Sequence, residues 1–167
     1  GQQMKKTDEI LFKLLRRALY GEQFELQPQQ KSQWREIYQQ ASYQGVLGVL
    51  WDGVKDLPMD TGMRLNWALN VEKIEQRYER QRIVLEELAE LFAAHGMEMM
   101  VIKGYGLSLL YPEPKHRPCG DIDFYLYGEY AKGDKVLEEI AVEISVLLVT
   151  KIISKEFLKV LQNLHCF

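Results

Sequence analysis

Cysteine is scarce in this 167-residue chain: Cys119 and Cys166 are the only two. Two thiols cannot build a disulfide framework, nor a zinc site without help from histidine, so a reducing compartment, the cytoplasm, is expected. The three histidines, His95, His116 and His165, show no ligand spacing and give zinc no such help. Long hydrophobic runs are absent and the N-terminus is polar, so neither a membrane-spanning helix nor a secretory signal is expected. A basic excess is also missing. The formal net charge is -3, which argues against general nucleic-acid binding and for a small or locally bound partner. What remains is an ordinary soluble composition, 47% hydrophobic and 27% charged, enough for one real core.

The first part of the chain reads as helical. Thr7 opens a helix with Asp8 and Glu9 in its first turn; Ile10, Leu11, Leu14, Leu15, Ala18 and Leu19 follow at helical spacing, and Gly21 ends it. A second helix starts at Ser32, where Arg35 leaves the capping box incomplete. Gly45 and Gly48 imply either close helix packing or a break before another short helix. Asp60 opens the longest periodic stretch, with Val71, Ile74, Tyr78, Gln81, Leu85, Leu88 and Phe92 recurring by threes and fours up to Gly96. This pattern is a core stripe with a charged outer face; a dimeric coiled coil, and hence a homodimer, is the other reading. Residues 1–96 are therefore expected to form a helical N-terminal region.

After Gly96 the character changes. The run 97–102 suits a buried strand, 104–110 one or two helical turns, and 111–118 a loop, because it holds three prolines. A second strand is expected over 122–126, a helix over 131–140, a β-branched strand over 142–149 and a helix over 155–164. Residues 97–167 thus read as a small α/β core, and the chain as α+β.

Chemistry concentrates between Lys103 and Asp123. In a strand, residues i and i+2 project from one face about 6.5–7 Å apart, so Asp121 and Asp123 would point together. Mg²⁺ accepts one or two such carboxylates while keeping waters and substrate phosphate oxygens. Gly104, directly after a strand, lets backbone amides approach a phosphate, and Lys103 adds a positive charge. A solvated edge strand and a plain tight turn are the bland alternatives for these two features.

The segment Lys103-Gly-Tyr-Gly-Leu-Ser-Leu-Leu-Tyr-Pro-Glu-Pro, followed by Arg117-Pro-Cys-Gly-Asp-Ile-Asp-Phe, resembles the nucleotidyltransferase superfamily of the polymerase-β type. It is closest to the poorly characterised branch with a Lys-Gly, Tyr-Pro, Arg and Asp-x-Asp pattern. Tyr105 stands where the common superfamily pattern has Gly or Ser. The resemblance implies a small mixed sheet with helices on one side and a nucleoside triphosphate held at Lys103, Gly104, Tyr105 and Arg117. It also implies Mg²⁺ on Asp121 and Asp123, as a two-metal site that assists in-line displacement at the α-phosphate. Arg117 is then either a phosphate clamp or a partner that positions Asp121 or Asp123.

The superfamily adds a third carboxylate on a later strand to deprotonate the acceptor hydroxyl. Glu143 is the one acid on the expected strand 142–149, so either Glu143 fills that role or the chain is truncated or degenerate and lacks it. The expected activity is metal-dependent transfer of a nucleoside monophosphate from an NTP to a hydroxyl of a small molecule or protein. The alternative is a non-catalytic helical interaction module that retains a relic nucleotide-binding motif.

Overall fold

The computed structural model describes residues 6–149, with side chains through Glu143. The expected helix over 155–164, and with it His165 and Cys166, lies outside the described residues. Four helices come first: α1 (Lys6–Tyr20), α2 (Lys31–Tyr43), α3 (Leu47–Val54) and α4 (Thr61–Ala94). Strand β1 (Met100–Ile102), helix α5 (Gly104–Ser108), a single 3-10 turn over Pro114–His116, strand β2 (Asp123–Tyr125) and helix α6 (Tyr130–Val149) follow. The fold is α+β with a helical N-terminal region. Among the described residues, no helix is long and apolar enough to cross a membrane.

Contacts divide the described chain into two units, each built from two stretches of sequence. The first holds residues 6–81 and Lys103–Ile122; the second holds Arg82–Ile102 and residues 123–149.

The first unit is organised around indoles. Leu11 and Leu14 of α1, Trp34, Ile37 and Ala41 of α2, Leu50 and Val54 of α3, and Trp67 and Val71 of α4 form one buried cluster. Trp67 is fully buried and meets Trp34, Tyr38 and Trp51 at ring-centroid distances of 6.5, 5.2 and 6.2 Å. Both buried indole N–H groups find carbonyls, as burial demands: Trp67 Nε1 donates to Leu47 O and Trp34 Nε1 to Pro58 O, each at 3.0 Å. Helix α2 begins one residue before the Ser32 of the sequence reading. Its cap is Gln30, whose backbone N–H donates to Gln33 Oε1 at 2.7 Å, so the box is completed by glutamine rather than by Ser32.

Helix α3 lies where the glycine spacing implied close packing. A Cβ on Gly53 would sit 2.5 Å from Leu14 O, so only glycine lets the α1 backbone come this near.

In the second unit, the far part of α4 and the N-terminal half of α6 cover a two-stranded antiparallel sheet. Its register pairs Met100 with Tyr125, Val101 with Phe124 and Ile102 with Asp123. Phe92, fully buried, meets the Phe124 ring at 5.5 Å, and Leu85, Leu88, Met97, Leu126 and Val136 of this unit are buried too. The expectation of a buried strand over 97–102 is corrected here. Only three residues pair, and Met100 and Ile102 are exposed, because a two-stranded ribbon leaves one face open to water.

The expected strand over 142–149 is also corrected: these residues are the second half of α6. No glycine or proline occurs between Asp134 and Val149 to stop the helix that Tyr130 begins. The β-branched residues cost only a few tenths of a kcal/mol each in a helix, too little to end it.

Candidate functional site

The Lys103–Gly104 turn is set by the end of β1. Lys103 has φ 50° and ψ -137°, outside the regions that L-residues favour, and such a backbone costs on the order of 1–3 kcal/mol. Helix α5 starts at once, its first turn closed by Leu107 N–H on Lys103 O at 2.8 Å. If the antiparallel register ran on, Lys103 would face Ile122 and Gly104 would face Asp121. The turn at Lys103 ends the ladder, which is why β2 begins only at Asp123 and Asp121 stands outside it. Asp121 and Asp123 are therefore not two rungs of one strand, as the sequence implied. Pairing at Asp121 has no partner strand left.

Within the first unit the turn and Asp121 do come together. A Cβ built on Gly104 would lie 3.4 Å from Asp121 O, so the two main chains are close neighbours. Arg117 Nη1 donates to Gly104 O at 3.1 Å and, more weakly, to Pro118 O at 3.4 Å. Its guanidinium also lies 5.7 Å from the centroid of the Tyr111 ring. Of the two roles left open for Arg117, its bonds are those of a positioning partner, but the group it positions is the Gly104 turn rather than a carboxylate. Gln81 Nε2 donates to Gly120 O, holding the residue before Asp121 to α4.

Tyr105 is turned inward against α4. Its ring stacks on Tyr78 at 5.2 Å and 25°, while Tyr78 Oη shares a 2.9 Å hydrogen bond with the fully buried Ser108 Oγ. Ser108 in turn donates to Tyr105 O at 2.5 Å. The short helix α5 is thereby fastened at both ends: Arg117 holds its start, and Tyr78 with Ser108 holds its last turn.

Sequence spacing gave His116 no role, yet its ring bridges two carboxylates from different helices. It is buried, with Nδ1 2.7 Å from Asp52 Oδ2 and Nε2 2.6 Å from Glu75 Oε1. Burial opposes the charge on the ring, but the hydrogen bonds and charges of Asp52 and then Glu75 outweigh it and raise the His116 pKa above its ordinary value. Cys119 is buried; its thiol lies 3.6 Å from Arg117 O, and burial raises its pKa despite the opposing charge of Arg117.

The two candidate metal carboxylates fall in different units, Asp121 in the first and Asp123 in the second. One intervening residue limits their Cα atoms to about 7 Å apart. Asp121 is exposed and Asp123 half-buried. Among the described residues, no group of three or more histidine, cysteine or acidic side chains is arranged to hold a metal ion. An all-protein cage is thus not built there. A carboxylate is a hard oxygen donor of the kind Mg²⁺ takes, with water and phosphate completing the ion's shell. Glu143 lies on α6, exposed, and not on a strand.

Residues 30–146 match the family described as uncharacterised nucleotidyltransferase. The match extends well beyond the Lys103–Asp123 motifs, from α2 into α6, and it does not favour the reading as a non-catalytic helical module. Neither a curated protein nor a solved structure gives a match. A match over more than half of the chain, running through the Gly104 turn and both aspartates, shows that this protein belongs to the uncharacterised nucleotidyltransferase family.

Proposed function

We propose that this protein transfers a nucleoside monophosphate from a nucleoside triphosphate to a hydroxyl acceptor, with Mg²⁺ held by Asp121 and Asp123. The observation that carries this reading is the packing of the Lys103–Gly104 turn against the Asp121 backbone, with Arg117 fixing the turn's carbonyl. It sets a cationic, strained turn beside the main chain of Asp121. Strain of the kind seen at Lys103 is typically kept where a backbone must present itself to a ligand.

In this reading the Gly104 backbone and the Lys103 ammonium receive the triphosphate, and Arg117 keeps the Gly104 carbonyl turned into the protein, away from the anion. The acceptor oxygen forms a bond to the α-phosphorus, the bond to the pyrophosphate oxygen breaks in line with it, and pyrophosphate leaves. When bound, Mg²⁺ supplies positive charge to the attacking and leaving oxygens. A cytoplasmic setting, where Mg²⁺ and triphosphates are abundant, fits the reading.

Calorimetry with Mg²⁺ and each of the four ribonucleoside triphosphates tests it. Binding is expected to require Mg²⁺ and to disappear in the Asp121→Ala, Asp123→Ala double variant. Unchanged binding in that variant would remove the assignment.

A further inference from the structure

We propose that His116 is a positioning residue for the nucleotide turn: as an imidazolium bonded to Asp52 and Glu75 at once, it fixes the segment that delivers Arg117 to the Gly104 carbonyl. The inference rests on the nucleotidyltransferase reading of that turn and adds a protonation-dependent support behind it.

The hydrogen-bond geometry suits the doubly protonated ring. Neutral imidazole has one N–H and one lone pair, whereas both His116 nitrogens lie within 2.7 Å of carboxylate oxygens. A neutral ring would aim its lone pair at one carboxylate; the doubly protonated ring donates to both. Around it the charges alternate. From α3, Lys55 stands 3.9 Å from Asp52; from the histidine's own loop, Lys115 stands 3.6 Å from Glu75. Glu79 of α4 and Glu113 of the loop line the adjoining groove beside Glu75 and Lys115. With the imidazolium in place, the two buried-side carboxylates each face a cation on both flanks.

The main chain of His116 is held as firmly as its ring. A Cβ on Gly48 would meet His116 O at 2.4 Å, so α3 and the loop are in backbone contact. The next residue is Arg117. Its reach to Gly104 O therefore begins from a point pinned by α3 and α4 on three sides. A chain of contacts runs from Asp52 and Glu75 through His116 and Arg117 to Gly104 and the Asp121 backbone. Loss of the second ring proton breaks its first link. The His116 pKa is raised, so the link is complete below pH 6.5 and is lost as pH rises through the folded-state value above it.

Two measurements on the whole chain test this. In the ligand-free protein, ¹⁵N NMR of the histidine ring is expected to show both nitrogens protonated at pH 6.5, and the Gly104 amide resonance is expected to move with the same midpoint as the ring. Calorimetry with Mg²⁺–ATP is then run from pH 6 to pH 9. Wild-type affinity is expected to fall across the His116 midpoint. His116→Gln is expected to bind about tenfold more weakly at pH 6.5 and to lose that pH dependence. Asp52→Asn, which keeps the side-chain shape if the histidine variant does not fold, is expected to move the midpoint to lower pH. Wild-type binding whose pH profile is the same in both variants overturns the positioning role while leaving the nucleotidyltransferase reading intact. A Gly104 resonance that ignores the His116 titration overturns it without any ligand. No binding of any triphosphate by the wild type sinks the parent reading instead.

Discussion

Arg117 donates to the carbonyl of Gly104 at 3.1 Å, thirteen residues back along the chain. That bond makes the arginine a clamp on the turn, since the atom it holds is a backbone oxygen. A hydrogen bond from a charged donor to a partly buried carbonyl is worth about 1.5–3 kcal/mol. Arg117→Ala is therefore expected to weaken Mg²⁺–ATP binding by roughly tenfold or more, because 1.4 kcal/mol is a factor of ten. Arg117→Lys is expected to recover only part of this, because a single ammonium cannot bond Gly104 O and Pro118 O while lying over Tyr111. Titration of the two variants by calorimetry checks the order; a lysine variant weaker than the alanine one contradicts it.

Trp67 is the keystone of the first unit, touching three other aromatic rings with no exposed surface. Trp67→Ala is expected to destabilise the protein by about 3–5 kcal/mol, the usual range for an aromatic truncated in a core. Trp67→Phe keeps part of the ring packing but loses the bond to Leu47 O and some buried volume, so a smaller loss of about 1–3 kcal/mol is expected. Urea denaturation of the three proteins measures both. Equal losses in the two variants would show that the indole N–H, and not ring volume, carries the stability.

The long helix was easy to read from sequence and the site was not, for one physical reason. Helix α4, 34 residues long, announces itself by apolar spacing that local geometry dictates, and its buried Val71, Tyr78, Leu85, Leu88 and Phe92 are the stripe that spacing picks out. Lys103, Gly104, Asp121 and Asp123 are legible as a motif, and Gly104 and Asp121 do meet in the first unit. Their strand placement is not legible, because it depends on where pairing stops, and that is set by the φ of Lys103. The end of the chain misled for a related reason: β-branched residues in 142–149 suggest a strand, but a helix already under way at Tyr130 is cheaper to continue than to break. His116 lies 64 residues from Asp52 and 41 from Glu75, so no spacing rule could join them. The available hint was weaker, a histidine beside a proline-rich turn in a chain with only three histidines.

Cys119 is expected to be a slow thiol. The nucleophile is the thiolate, and burial raises this thiol's pKa while the side chain is shielded from reagent. Modification by a soluble maleimide or disulfide reagent at pH 7 should be at least tenfold slower than for a free cysteine, on the order expected from its lower thiolate fraction and access. Mass spectrometry of a Cys119 peptide follows the reaction. Addition of denaturant is expected to abolish the protection, and rapid labelling of the native protein would mean that the Pro118–Gly120 segment opens readily.

The His116 bridge predicts the sign of a stability change with pH. A histidine whose folded-state pKa is raised binds its proton more tightly in the native state, so the native state holds more protons than the unfolded chain above pH 6.5. Stability from this group is complete below pH 6.5 and falls as pH rises through the folded-state value. Buried groups bonded at 2.6 and 2.7 Å are screened little by salt, so the loss should persist at high ionic strength, unlike that of the exposed Arg16–Glu22 pair. Chemical denaturation at pH 6 and pH 9, in low and high salt, is the measurement. The wild type is expected to lose stability between these two values, and His116→Gln is expected to lose less. If instead the wild type gains stability as pH rises and His116→Gln does not, the ring is neutral in the folded protein.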